Sequence, residues 1–139
     1  MSTIEERRSR AGPPGFALVM ESDLDLRAVI RTALLLDGHR VECVADCAGV
    51  LAWHDNVGPV PDEFVLGLGA GELDPDWETL KLALDDDAML SSAAVIVLLT
   101  IRNGLTFPPR ARILQKPFAI EELLALVAFD MAAAPCLPV

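Results

Sequence analysis

Several groups of residues in this sequence have the types and spacing to do chemistry. The run Gly67-Leu68-Gly69-Ala70-Gly71 resembles a glycine-rich phosphate cradle, in which backbone N–H groups point at an anion. It places Glu72 where a GxGxxG loop needs its last glycine, so a flexible loop is the better reading. Cys43, Cys47 and Cys136, with only His39 and His54 to help them, fall in no metal-ligand spacing. Buried, inert thiols in a reducing cytoplasm are the expectation, with no metal and no cofactor. His54, next to Trp53, has no second histidine or nucleophile nearby in sequence, which predicts a surface histidine and a packed indole. Asp85-Asp86-Asp87 could suggest a cation site, but consecutive carboxylates on a helix end point in different directions, and a solvated cap is preferred. Arg102, Arg110, Arg112 and Lys116 make a stretch without an acid in an acidic protein. A partner-binding edge and a solvated loop both fit it.

Whatever these residues do, one domain must position them. The chain has 139 residues, 53% of them hydrophobic and 23% charged, which fits one globular domain with an apolar core and excludes overall disorder. The net charge of -10 is the wrong sign for neutralising nucleic-acid phosphates. The longest apolar run, residues 93 to 101, is too short to span a membrane, and the run at 16 to 20 meets Glu21 before it could serve as a signal-peptide core. A cytoplasmic protein is expected. Residues 1–15 read as a flexible tail, 16–130 as the domain and 131–139 as a short C-terminal tail.

Apolar runs of strand length alternate with helical patterns. Strands are predicted at 16–20, 40–45, 64–68, 93–100 and 111–115. Helices are predicted at about 24–36, 46–55, 75–86 and 119–131. The first should bury Leu26, Val29, Ile30, Ala33 and Leu34, and Asp74-Pro75 offers an N-cap and a first helical residue for the third. Continuously apolar strands separated by helices argue for a doubly wound α/β domain with a parallel sheet covered on both faces. Gly104, Pro108 and Pro109 leave the fourth crossover without a regular helix.

Open α/β sheets carry their chemistry at the carboxyl ends of the strands. Those positions hold Glu21-Ser22-Asp23, Gly67, Thr100 and Lys116-Pro117-Phe118. With VMESDLDLR at 19–27, PDEFVLGL at 61–68, VIVLLT at 95–100 and QKPFAIEELLALV at 115–127, the chain resembles the receiver domain of two-component response regulators across residues 16–129. The resemblance implies a flavodoxin-like (βα)5 three-layer sandwich with strand order 2-1-3-4-5, its fourth helix here short or missing. It also implies an aspartate phosphorylated at the end of the third strand, Mg²⁺ held by that aspartate and an acidic pair after the first, and a Thr/Ser and a Lys on the phosphoryl oxygens.

Against that pattern the acceptor position is Gly67, which has no nucleophile, and the acidic pair is Glu21-Ser22. Thr100 and Lys116 match, whereas the aromatic switch position holds Ile113. A residual pocket of Glu21, Ser22, Asp23, Thr100 and Lys116 is expected. In it Lys116 either pairs with Glu21 or snorkels to water. Metal affinity should be poor. Taken together, these departures predict a pseudo-receiver. It would be a stand-alone, non-enzymatic module in two-component or phosphorelay signalling that works by phosphorylation-independent binding to a histidine kinase, another regulator or a second copy. Arg102, Arg110, Arg112 and Phe118 are the partner-binding candidates, and neither nucleic acid nor membrane is expected as a partner. The alternatives are a phospho-receiver with a non-standard acceptor, or a small-molecule binder using the space vacated at Gly67. No segment after Phe129 is long enough to fold as an output domain.

Overall fold

The computed structural model describes residues 15–56, 59–69, 74–100 and 106–133. Five strands, β1 (Phe16–Met20), β2 (Arg40–Val44), β3 (Glu63–Leu68), β4 (Ala94–Leu99) and β5 (Arg112–Gln115), form one sheet of order β2-β1-β3-β4-β5. Every pairing is parallel. The helices are α1 (Leu24–Leu36), α2 (Cys47–Asp55), α3 (Trp77–Asp86) and α4 (Ile120–Ala133). This is the flavodoxin-like doubly wound fold expected from the sequence. The last helix continues to Ala133, into the segment expected as a tail.

The strands alternate their side chains between two cores, as the two-residue period of a strand requires. Leu18, Met20, Phe64, Leu66, Val95 and Val97 face one core with Trp77, Leu80 and Leu84 of α3. Ala17, Val19, Val65, Ile96 and Leu98 face the other with Ile30 and Leu34 of α1 and Leu123 and Val127 of α4. Both faces of β1, β3 and β4 are therefore covered, which is why these strands read as unbroken apolar runs.

Two local expectations are corrected. Val29 is 52% exposed. The stripe of α1 that meets the sheet is only wide enough for Ile30 and Leu34, with Leu26 packed at its margin. The third helix starts at Trp77, with Asp76 at its cap position and no side-chain cap bond. Asp74 instead accepts the backbone N–H of Asp76 at 2.9 Å and that of Cys47 at 3.0 Å, so one carboxylate ties the approach to α3 to the start of α2. Two backbone donors hold this carboxylate below its ordinary titration range despite some desolvation.

Residues 106–110 form loop and turn, so among the described residues no helix joins β4 to β5. Phe107 fills part of that space, with its ring 6.0 Å from the Trp77 ring. Arg110 fastens the loop down, donating to the carbonyls of Ala93 at 2.7 Å and Leu90 at 3.0 Å.

Candidate functional site at the carboxyl ends of the strands

The site is built from the ends of β1, β3, β4 and β5. Glu21 directly follows β1, and its backbone N–H donates to Val44 of β2 at 3.1 Å. Gly67 lies inside β3, paired with Leu98 of β4. Lys116 follows β5, and its N–H donates to Leu99 at 2.8 Å before a cis peptide to Pro117. Parallel strands carry all three residues to one end of the sheet, which brings positions far apart in sequence into contact.

The Lys116 ammonium meets Glu21 Oε1 at 2.7 Å, with both side chains largely out of solvent, at 16% and 2% exposure. Of the two fates open to Lys116, pairing with Glu21 is the observed one. Glu21 Oε2 accepts the N–H of Asp23 at 3.0 Å, and Arg27 donates to the Glu21 carbonyl at 3.1 Å. Both carboxylate oxygens thus have a donor, as a buried charge requires.

This carboxylate lies where a side chain on residue 67 would be. A Cβ on Gly67 would overlap Glu21 Oε1 and lie 2.8 Å from its Cδ and 3.1 Å from the Met20 carbonyl. Glycine is required here for close approach, since its backbone conformation is that of an ordinary strand. The vacated space expected for a small molecule is filled by the chain's own glutamate.

The side chains of the other expected pocket residues make no hydrogen bond to this pair. Asp23 is exposed and caps α1, its Oδ1 accepting from Asp25 at 2.9 Å and Leu26 at 3.1 Å, so it is corrected from pocket residue to helix cap. Ser22 is exposed. Thr100 turns its hydroxyl toward the Leu68 carbonyl in a long contact of 3.5 Å. Ile113 packs into the core beneath α2 and α3.

The Mg²⁺ chemistry that a receiver implies does not fit these residues. Gly67 supplies no carboxylate, and Glu21 is saturated by Lys116 and Asp23. Among the described residues no group of three or more His, Cys, Asp or Glu side chains could hold a metal ion.

The described members of the expected basic edge make contacts within the chain. Arg110 is committed to backbone carbonyls, with Asp85 at 4.0 Å. Arg112 pairs with Asp130 at 3.1 Å and lies 4.7 Å over the Phe129 ring. Phe118 packs against the core under α1 and α4. Arg102 and Cys136 lie outside the described residues, as do Ala70 and Gly71 of the glycine-rich run. Cys47 is buried, with its thiol pushed up by desolvation and by Asp74, whereas Cys43 is half-buried. His54 is clasped by Asp87 at 3.0 Å, and Asp87 also accepts from Met89 and Leu90. That member of the aspartate triplet is a structural cap with a histidine partner.

No protein-family model matches the sequence, and no curated protein does. Solved structures do match. The signal receiver domain of a histidine kinase from Syntrophus aciditrophicus superimposes with a TM-score of 0.72 at 16% identity, over 90% of this chain and 98% of that one. The receiver domain of the Francisella response regulator 1452 gives 0.67 at 22% identity, over 84% and 96%. The chemotaxis response regulator CheY4 of Vibrio cholerae gives 0.67 at 17% identity, over 84% and 98%. The chain has the receiver fold. Within that receiver fold the carboxyl-end site is closed on itself by a glutamate and a lysine.

Proposed function

We propose that this protein is a signalling module of the two-component type that acts by binding a protein partner without being phosphorylated or catalysing a reaction. The partner would be a histidine kinase, another regulator or a second copy of the chain. One observation carries the reading: the space for an acceptor side chain on residue 67 is occupied by Glu21, which is already paired with Lys116. A phosphoryl group arriving there would find no nucleophile on β3 and a lysine already neutralised. The apolar side chains exposed on α1, Leu24, Val29 and Leu36, offer a partner an apolar surface. No helix among the described residues is long and apolar enough to cross a membrane.

The test is intact-mass spectrometry after incubation with a small phosphodonor and Mg²⁺. The native protein should gain no phosphoryl mass. A second reading has one specific observation in its favour: the Glu21 carboxylate lies 2.7 Å from the Lys116 ammonium, beside the acceptor position. A phosphoryl group mapped to Glu21 would replace the first reading with a receiver that has a non-standard acceptor. Loss of binding in a pull-down after Leu36→Lys would tie the partner to α1.

A further inference from the structure

A second buried acidic cluster lies at the opposite end of the sheet. Glu63, the first residue of β3, is fully buried on the sheet face it shares with Val65, which packs with Val127 and Met131 of α4, and the acid it faces there is Asp130 of the same helix. Asp130 Oδ1 forms an ion pair with Arg112 of β5, 3.1 Å from its Nε, with the Asp130 side chain only 8% exposed. The remaining oxygens, Glu63 Oε1 and Oε2 and Asp130 Oδ2, are buried and find no donor among the described residues. Two ionised carboxylates in this position would repel each other and leave three buried acceptors unmet. One hydrogen between them turns the contact into an O–H···O⁻ bond, a strong charge-assisted type.

We propose that Glu63 and Asp130 hold a single proton between them, and that this proton, together with Arg112, fastens α4 to the amino-terminal end of the sheet. The charged groups facing Glu63 are Asp130 from α4, Arg112 from β5 and Asp62, the residue just before β3. Only Arg112 favours ionisation, and its guanidinium is paired with Asp130. Burial first, then Asp130, pushes the Glu63 carboxyl up to about 10. The folded protein therefore binds a proton that the unfolded chain releases near the ordinary value of 4.5. Stability from this contact is complete below that value and is lost as pH rises toward about 10. Helix α4 is the element released.

The experiment follows thermal unfolding of the full chain from pH 5 to 9, native beside Glu63→Gln. The glutamine amide can donate to Asp130 without titrating. The native folding constant should fall with pH by up to about tenfold per unit relative to the variant, the limit for one proton. Parallel curves would overturn the proposal. If the variant fails to fold, the carboxyl ¹³C shift of Glu63 in the native protein decides: a protonated signal at pH 7 supports the shared proton, and titration between pH 4 and 5 overturns it. Amide exchange places the effect. With base catalysis divided out, α4 protection should fall with pH ahead of β1, and uniform loss across the chain would remove α4 from the proposal.

Discussion

At the carboxyl end of β1, Glu21 is buried against a lysine, whereas at the amino end of β3, Glu63 is buried against another acid. Both sites take a carboxyl group out of water, which costs several kcal/mol for an unpaired ion. The first site meets that cost with an ammonium and a backbone N–H, so its charge is retained and both oxygens are bonded. The second meets it with a proton, so charge is removed. One end is thus held by a full ion pair, and the other depends on solution pH. The difference comes from where the strands start and stop: β5 delivers Lys116 to the carboxyl end, while at the amino end Arg112 is paired with Asp130.

The largest expected effect comes from breaking the ion pair. Lys116→Met leaves the Glu21 carboxylate buried without its cation and should lose about 3–5 kcal/mol of stability in urea unfolding. Changing Glu21 to Met in the same molecule should recover most of that loss, because an apolar pair of similar volume replaces the ions. A single-variant loss below about 1 kcal/mol would mean that Lys116 is satisfied by water, and the contrast between the two ends would disappear.

Next in size is Gly67→Ala. Its new Cβ must displace Glu21 from Lys116, and strain of this kind costs about 1–3 kcal/mol. Shortening Glu21 to Asp should relieve it. The same geometry bears on rebuilding an acceptor. Gly67→Asp with Ser22→Asp should take up little phosphoryl from a small donor until Glu21→Asp is added, as read by intact mass. Efficient phosphorylation of the double variant alone would show that Glu21 yields its place easily.

A matched pair of changes sharpens the comparison further. Glu21→Gln weakens a hydrogen bond to a charged donor and should destabilise by about 1.5–3 kcal/mol across neutral pH. Glu63→Gln should be close to neutral at pH 5 and stabilising at pH 9. Opposite signs at pH 9 for one chemical change would establish that the two ends neutralise acids differently. Equal signs would break the distinction.

Much of this architecture was legible in the sequence because apolar runs on β1, β3 and β4 have only one physical use, a sheet buried on both faces. The Gly67 substitution could be read directly. The pairing of Lys116 with Glu21 could be read only as one of two fates, since the residues are separated by 95 positions and their approach depends on the pleat of three strands. The intramolecular contacts of Arg110 were hidden for a related reason: its acceptors are the carbonyls of Ala93 and Leu90, and backbone acceptors leave no mark in a sequence. The Glu63–Asp130 contact did leave a signal. Glu63 opens an otherwise apolar run, and Asp130 sits one turn beyond Leu123 and Val127 on the core-facing stripe of α4. An acid in each of two such positions points to a shared partner inside the fold.

The smallest effect separates a third buried group from both acids. His39 is 3% exposed, and its Nδ1 accepts the N–H of Gly15 at 3.2 Å, which requires the neutral ring. Burial lowers its titration below the ordinary 6.5, partly opposed by Asp37 and Asp62. The folded state then holds fewer protons on His39 than the unfolded chain does. Its contribution is present above pH 6.5 and is lost as pH falls through the lowered value, the reverse of the trend for Glu63. Protonation removes one neutral hydrogen bond, so the His39 contribution should be about 1 kcal/mol smaller at pH 5 than at pH 7, a decline that offsets part of the gain from Glu63. His39→Gln, whose amide oxygen can accept from Gly15 at any pH, should flatten that decline while leaving the alkaline limb set by Glu63 intact. If the acid decline survives the substitution, it arises from carboxylates elsewhere, and the amino end of the sheet has one titrating contact instead of two.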